Sequence, residues 1–211
     1  MHAIALLAQK GGAGKTSLAL ALAVEASGAG RTVVVLDTDP QASACCWRDR
    51  RQSPDPVVTD VHPSRLRYAL DAAAAENVDL AVIDTPPRSE SAALEAARAA
   101  HLVVIPCRAQ ALDLETMPNV QQLLGLAGNP PAVAVLNAVS PRGPRTAQAR
   151  RAIDRLGLQV CPHTIGHRVA WGDASAVGLA VTEYPSRGRA ADEARLVVQW
   201  LTQALTQQQS G

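Results

Sequence analysis

The chain has 211 residues, of which 47% are hydrophobic, 18% are charged and only 2% are aromatic, with no phenylalanine. This length suits one domain with a substantial core, and the composition excludes a disordered, coiled-coil or collagen-like chain. The shortage of aromatic rings argues against a stacking platform for single-stranded nucleic acid.

The N-terminus and the cysteines indicate the cellular compartment of the protein. No apolar run reaches the roughly 18 residues of a membrane span, and the N-terminus lacks the basic segment of a signal peptide. The four cysteines form neither a Cys-x-x-Cys pair nor a Cys/His cluster, which fits packing residues in a reducing cytoplasm. They are Cys45, Cys46, Cys107 and Cys161.

Charge is distributed unevenly along the chain. The net charge is +1, but residues 1–139 carry 11 basic and 14 acidic side chains, whereas residues 140–211 carry nine arginines and five acids. The first part is therefore at −3 and the second at +4. A basic C-terminal third favours a polyanionic partner, although a solvated surface explains it equally well.

Short apolar runs alternate with helical patterns. The runs are continuous rather than alternating, which is typical of strands buried on both faces, and residues 51–62 add a Pro-rich connection with a short edge strand. This order predicts one α/β domain over residues 1–211, with a mostly parallel central sheet and helices on both faces. The predicted strands are 3–8, 32–37, 79–84, 102–106 and 132–137, and the predicted helices are 15–27, 42–50, 64–75, 89–99, 112–126 and 144–156.

A further amphipathic helix is predicted over residues 187–205. Its polar side has glutamines and no lysine, whereas helices that lie on membranes carry a Lys/Arg-rich face. We therefore expect it to pack on the sheet and expect no membrane partner. Residues 206–211 are predicted to form a frayed tail.

A glycine-rich loop separates the first strand from the first helix. It reads Gln9, Lys10, Gly11, Gly12, Ala13, Gly14, Lys15, Thr16, Ser17 and departs from the strict phosphate-loop pattern only at Gln9. The glycines allow backbone N–H groups to converge on phosphate oxygens. The following helix adds its positive end, Lys15 can bind the phosphates, and Thr16 can bind Mg²⁺. The sequence thus predicts a P-loop NTPase.

The use of lysine supports this prediction. The only two lysines of the sequence, Lys10 and Lys15, lie in this loop, where a compact ammonium suits a phosphate cradle.

Three segments in order resemble the ParA/MinD superfamily of P-loop ATPases. Residues 10–16 are similar to its deviant Walker A loop, residues 33–41 to its second carboxylate motif, and residues 80–87 to its Walker B strand. Residues 135–137 and 168–190 also resemble the end of ParA chains. The resemblance implies ATP and Mg²⁺ as cofactors and the short ParA type without a preceding helix-turn-helix, which serves plasmid or chromosome partition.

The resemblance also implies roles for individual residues. Lys15 binds phosphates in its own subunit, while Lys10 reaches the ATP of a partner in a homodimer. Asp39 orients the attacking water, and Asp37 and Asp84 join Thr16 around Mg²⁺. Residues 85–87 sense the γ-phosphate. Asn137 contacts adenine, although an asparagine at a turn is also common for local reasons.

The basic C-terminal third suggests that the ATP-bound dimer binds duplex DNA without sequence preference, through phosphate contacts. Arg168 and Arg189 are the first candidates, since they lie in the stretch that resembles the family. Slow hydrolysis is expected because no arginine finger is evident near the loop, with stimulation by a centromere-binding partner of the ParB/ParG-like kind.

Three other functions stay open. The same ATPase could position a protein complex or organelle over the nucleoid. A metabolic ATP-dependent synthetase would need a substrate pocket for which this chain has little spare length. A purely regulatory binding module would not need Asp39 and Asp84. Plasmid or chromosome partition in the cytoplasm, in association with the nucleoid, is the leading expectation.

Overall fold

The computed structural model describes residues 1–140, 143–184 and 188–207. In these ranges seven strands form one sheet, in the order β3-β2-β4-β1-β5-β6-β7, and every neighbouring pair is parallel. The strands are β1 (His2–Leu6), β2 (Val33–Asp37), β3 (Val57–Asp60), β4 (Leu80–Asp84), β5 (Leu102–Arg108), β6 (Ala132–Asn137) and β7 (Gln159–Val160).

The helices cover both faces of this sheet. On one face α1, α2 and α9 share a core with Ile4 and Leu6 of β1, while α3, α4, α6 and α7 share the other core with Ala3 and Ala5. The alternation along β1 follows from the two-residue period of a strand. The helices are α1 (Lys15–Gly28), α2 (Ser43–Arg48), α3 (Leu66–Ala75), α4 (Glu90–Ala99), α5 (Ala111–Leu114), α6 (Met117–Leu126), α7 (Arg145–Arg155), α8 (Ala170–Ala176) and α9 (Arg189–Gln207).

The predicted architecture is confirmed, with differences at four places. All five predicted strands are present, and β3 is the short edge strand expected within residues 51–62. The helix predicted over residues 112–126 is instead two helices, α5 and α6, and Pro118 stands in the first turn of α6, where proline is tolerated. Strand β7 and helix α8 were not predicted. The prediction of a frayed tail is wrong for Thr206 and Gln207, which end α9, and otherwise concerns residues 208–211, outside the described part.

Helix α9 packs on the sheet side as expected. Its apolar residues are buried in the core shared with α1, and they include Val197, Val198 and Leu201. Among the described residues, no helix has the length and apolar character to cross a membrane.

A clamp joins the end of α2 to the segment between α8 and α9. The guanidinium of Arg51 donates two hydrogen bonds to Glu183, at 2.8 and 2.9 Å, and a third to the carbonyl of Gly178 at 3.1 Å. It also stacks 4.7 Å from the ring centre of Trp47, whose indole N–H donates to the Leu179 carbonyl at 3.0 Å. The backbones approach so closely that a Cβ on Gly178 would lie 2.6 Å from the backbone of Arg50.

The clamp predicts a pH-dependent stability. Burial would raise the pKa of Glu183, but the hydrogen bonds from Arg51 and the Ala180 N–H outweigh burial and leave that pKa below its ordinary value of 4.5. A carboxyl group with a depressed pKa stabilises the fold above its unfolded pKa, and this contribution is lost as pH falls through the folded value. We expect Glu183→Gln to lower the free energy of unfolding by about 2 kcal/mol at pH 7, because Arg51 loses its counter-charge.

Urea denaturation at pH 7 and at pH 3.5 measures this effect, and the difference between variant and wild type should shrink at the lower pH. The control is Glu95→Gln, which removes an exposed partner 3.2 Å from Arg98 and should change the stability by no more than about 0.5 kcal/mol. A Glu183→Gln difference of the same size at both pH values would contradict the prediction.

Candidate functional site

The glycine-rich loop follows β1, and β1 lies at the centre of the sheet beside β4. Strand β2 flanks β4 on the other side, and in the register of the sheet Leu6 pairs with Asp84 while Asp84 pairs with Asp37. Because all strands are parallel, the loop and both carboxylates meet at one edge, where ligands bind in open α/β sheets.

The loop is fixed by a side chain from another strand. Gly14 has a φ of +94°, and a Cβ at this position would lie 2.1 Å from the amide nitrogen of Asn137. Asn137 ends β6 and donates a hydrogen bond to the carbonyl of Ala13 at 2.8 Å, while its own oxygen accepts from the N–H of Ala138 at 2.7 Å. Asn137 therefore anchors the loop. Its contact with adenine stays a prediction.

Lys15 begins α1 and is only 6% exposed. Burial lowers the pKa of its ammonium, while the negative charges of Asp84 and Asp39 act in the opposite direction. A buried cation beside a curled backbone of N–H groups is suited to an anion with several charges.

Asp84 is fully buried, and within the part of the chain that the structure describes neither of its carboxylate oxygens has a hydrogen-bond partner. Burial raises its pKa to about 7, and the nearby hydroxyl of Thr16 acts against this rise without forming a hydrogen bond of normal geometry. A buried carboxylate without a partner is costly unless a cation binds it. An unsatisfied carboxylate beside a hydroxyl supplies the oxygen ligands that Mg²⁺ prefers, so these two residues fit the expected metal.

Asp37 and Asp39 have different surroundings, although both follow β2. Asp37 is buried, and it accepts hydrogen bonds from the N–H groups of Asp39, Ala44 and Cys45 at 2.9 to 3.2 Å. Burial raises its pKa, and these three bonds oppose the rise. Its carboxylate thus supports the start of α2. Asp39 is half-buried, and among the described residues its carboxylate accepts one hydrogen bond, from the N–H of Gln41 at 2.9 Å. The metal role of Asp37 and the water-orienting role of Asp39 stay predictions.

Threonines tie the two strand ends together. The hydroxyl of Thr38 donates to the carbonyl of Asp84 at 2.8 Å, and that of Thr85 donates to the carbonyl of Leu6 at 2.7 Å. Thr85 belongs to the predicted γ-phosphate sensor. The hydrogen bonds place the start of this segment directly beside the strand that leads into the loop.

Two functional neighbours of the loop were missed from the sequence. Arg108, the last residue of β5, lies against the loop, with its guanidinium 3.4 Å from the carbonyl of Gly11. Asp113 in α5 contacts both Arg108 and Lys10. They are separated from the loop by about a hundred residues, so no local pattern could show them. No arginine finger was evident near the loop from the sequence; Arg108 lies there and contacts the loop of its own chain, and slow hydrolysis stays a prediction.

The two arginines predicted to contact DNA differ in exposure. Arg168 forms a two-point ion pair with Glu193, at 3.0 Å through its Nε and at 2.5 Å through a terminal nitrogen, and Glu193 also accepts from the N–H of Gly166. Its guanidinium thus serves to fix the segment before α8. Arg189 is exposed at the start of α9.

Comparison with known proteins identifies similar chains. The model of the "CobQ/CobB/MinD/ParA nucleotide binding domain" family matches residues 4–181. The maintenance of carboxysome distribution protein A of Gloeobacter kilaueensis is 31% identical over 195 residues, which cover 90% of this chain and 88% of that protein. Its namesake from Halothiobacillus neapolitanus is 28% identical over 200 residues, with 90% and 91% covered.

Solved structures agree with the fold. The septum site-determining protein MinD of Pyrococcus horikoshii, solved with Mg-ADP, superposes with a TM-score of 0.79 at 16% identity over 95% of both chains. A plasmid partition protein of Borrelia burgdorferi bound to AMPPNP superposes with a TM-score of 0.74 at 16% identity, and the match covers 96% of this chain and 98% of that one. At such identities the likeness concerns the fold.

Proposed function

The chain belongs to the CobQ/CobB/MinD/ParA nucleotide-binding domain family, and from this premise we propose that it is an ATPase that dimerises when it binds ATP and Mg²⁺. The observation that supports this most is the burial of two charged side chains: Lys15 at the end of the glycine-rich loop, and Asp84 at the end of β4, whose oxygens lack a hydrogen-bond partner among the described residues. Each is unfavourable by itself, and a nucleotide with its metal would satisfy both.

The position of each site residue indicates its role. The loop from Gly11 to Ser17 offers backbone N–H groups and Lys15 to the phosphates of the same subunit. Thr16 and Asp84 hold Mg²⁺, with Asp37 near them, and the metal when bound neutralises charge on the phosphates. Asp39, half-buried and only lightly hydrogen-bonded, is free to orient a water. Lys10 reaches the second copy.

The cargo that we propose is a large protein assembly rather than a plasmid or chromosome. Both curated relatives named above maintain carboxysome distribution, and they match this chain over almost its whole length. Partition of DNA, the leading expectation from the sequence, has less support, because the plasmid partition protein of Borrelia burgdorferi is similar to this chain in fold alone. The cargo follows from similarity, not from a feature of the site.

We place the duplex-binding surface on α7. Arg145, Arg151 and Arg155 are exposed there, and within the described part of the chain none of them has an acidic partner. Arg189 is a further exposed candidate, whereas Arg168 is engaged by Glu193. Arg142 and Arg187 lie outside the described residues. Unpaired exposed arginines are suited to phosphate contacts, which give affinity without reading bases.

Complementation of a deletion strain tests the proposal. Cells that lack the gene should show clustered protein assemblies by electron microscopy and unchanged plasmid and chromosome retention, and the wild-type gene should restore the even distribution. Lys15→Gln should fail to restore it. Arg151→Ala/Arg155→Ala should retain ATP hydrolysis when purified but lose the position of a fluorescent fusion over the nucleoid.

The matched control is Arg67→Ala, which removes an exposed arginine from α3 on another part of the surface. It should behave as wild type in every measurement. Loss of plasmids or chromosomes with evenly spread assemblies would reject the protein cargo. Rescue by Lys15→Gln would reject the ATPase.

A further inference from the structure

Within the described part of the chain, a helix covers only one face of the edge strand β3. Val58 points into the core that β3 shares with α2, whereas Val57 and Thr59 point to the opposite face. On that face α3 packs over the neighbouring strand β2, and Val57 is left 54% exposed. The layer of helices on this face therefore stops one strand short of the edge of the sheet.

The uncovered face forms an open groove of about 670 Å³ between β3 and α3. Its floor is apolar, and the ring of Tyr68 stands exposed on the α3 side. A contiguous apolar surface of this kind is typical of a site that another molecule covers. The apolar side chains that line the groove include Val34, Leu36, Val57, Val61, Ala69 and Ala73.

The two ends of the groove carry opposite charges. Arg65 immediately precedes α3 and Glu76 immediately follows it, so the rise of the helix places them about 16 Å apart. Both are exposed, and neither has an ion-pair partner among the residues that the structure describes. Asp60 also lies at the Arg65 end, but the alternation along β3 directs it, like Val58, towards α2.

We propose that this groove binds a helix of a partner protein, which extends the layer beside α3. Helices that cover one face of a parallel sheet run in the same direction, so the bound helix begins near Arg65 and ends near Glu76. An acidic side chain in its first turn and a basic one in its last turn stabilise such a helix and face the opposite charges of the groove. The partner therefore carries an apolar stripe with an acid at its start and a base about three turns later.

A second copy of this chain does not offer such a helix. Among the helices that the structure describes, α4 alone combines an acidic first turn with a basic last turn, through Glu90 and Arg98. The apolar side of α4 is already buried in the core of its own chain. The groove is also complete in one nucleotide-free chain, so the inference goes beyond the proposed ATPase and does not depend on it.

Fluorescence anisotropy with a synthetic helix tests the groove. The probe is a labelled fourteen-residue peptide with leucines at positions four, five, eight and eleven, glutamate at position one and arginine at position twelve. A hydrocarbon staple supplies the helicity that so short a peptide lacks, and a second peptide has the two charges exchanged. We expect the wild type to bind the first peptide about five-fold more tightly than the second. Equal binding of the two peptides, or binding of neither, would overturn the proposal.

The variants separate the groove from the nucleotide site. Arg65→Glu/Glu76→Arg should reverse the preference between the two peptides, whereas Lys15→Gln should bind them as the wild type does. Val57→Arg should weaken binding by more than about ten-fold, because it places a charge on the apolar floor. The matched control is Val177→Arg, which changes a valine that is 53% exposed after α8 and should leave binding unchanged. Circular dichroism checks the fold of each variant, and an unreversed preference in the double variant would contradict the assigned direction of the helix.

Photocrosslinking in the cells that produce the protein identifies the natural occupant. With p-benzoylphenylalanine in place of Tyr68, we expect crosslinks to a segment of another protein that has the stated apolar stripe and terminal charges. They should persist in Lys15→Gln and be lost in Val57→Arg. Crosslinks to a second copy of the chain or to lipid, or no crosslink at all, would overturn the proposal and leave the proposed ATPase untouched.

Discussion

The Gly14→Ala variant should lose nucleotide binding entirely while the rest of the domain stays folded. The new Cβ would lie 2.1 Å from the amide of Asn137, and the backbone at +94° is strained for any residue with a side chain. The hydrogen bond from Asn137 to Ala13 would break, and the loop would have to shift away from β6. We expect binding of a fluorescent ATP analogue to weaken by more than about 100-fold, since phosphate recognition depends on placement at the ångström level.

The matched control is Gly11→Ala, three residues earlier in the same loop. A Cβ on Gly11 would meet no atom within 4 Å, and its φ lies outside the left-handed region. Its nucleotide affinity as a monomer should stay near that of the wild type. Circular dichroism confirms the fold of each variant. Micromolar binding by Gly14→Ala would mean that Asn137 does not anchor the loop.

The Asp84→Asn variant should be more stable than the wild type and unable to hydrolyse ATP. The buried carboxylate has no hydrogen-bond partner among the described residues, and burial raises its pKa to about 7, so its ionised form is unfavourable in the nucleotide-free chain. An amide removes this charge, and the negative charge of Asp39 still supports the buried ammonium of Lys15. A gain of roughly 1 kcal/mol corresponds to a rise of about 2–4 °C in melting temperature for a chain of this length. Hydrolysis should fall by about 100-fold or more, because a charge that serves the transition state is lost.

The control lies at the other end of the same strand. Asp79 precedes β4, and its carboxylate accepts a hydrogen bond from the N–H of Thr32 at 2.8 Å. Asp79→Asn should not raise the melting temperature, and it should retain hydrolysis. If Asp84→Asn melted below the wild type, the carboxylate would be contributing to the stability of the empty site, contrary to the argument from its burial.

The sequence predicted those parts of the structure that short segments encode. The strands were identifiable because each is a continuous apolar run, and the loop because its glycines and Lys15 follow one another. Strand β7 has only two residues and helix α8 contains a glycine, so neither carries a periodic signal.

Long-range contacts could not be predicted in this way. Asn137 bonds to a residue 124 positions away, and Arg108 to one 97 positions away. Their roles depend on which strands become neighbours, which the apolar runs do not specify. The same applies to Arg168: it was singled out as a surface cation, but a glutamate 25 positions away engages it.

The central position of β1 determines the order in which the site can be assembled. β1 is made before the other strands, yet its neighbours in the sheet are Leu80–Asp84 and residues 102–104, and the loop that follows it is held by Arg108 and Asn137, which are made later still. A growing chain therefore carries a strongly apolar strand without partners over a long stretch of synthesis, a situation that favours aggregation. Nucleotide cannot stabilise these early chains, because the loop is not yet shaped. Incomplete chains that end before residue 137 should therefore need chaperones to stay unaggregated, and nucleotide binding should not stabilise them.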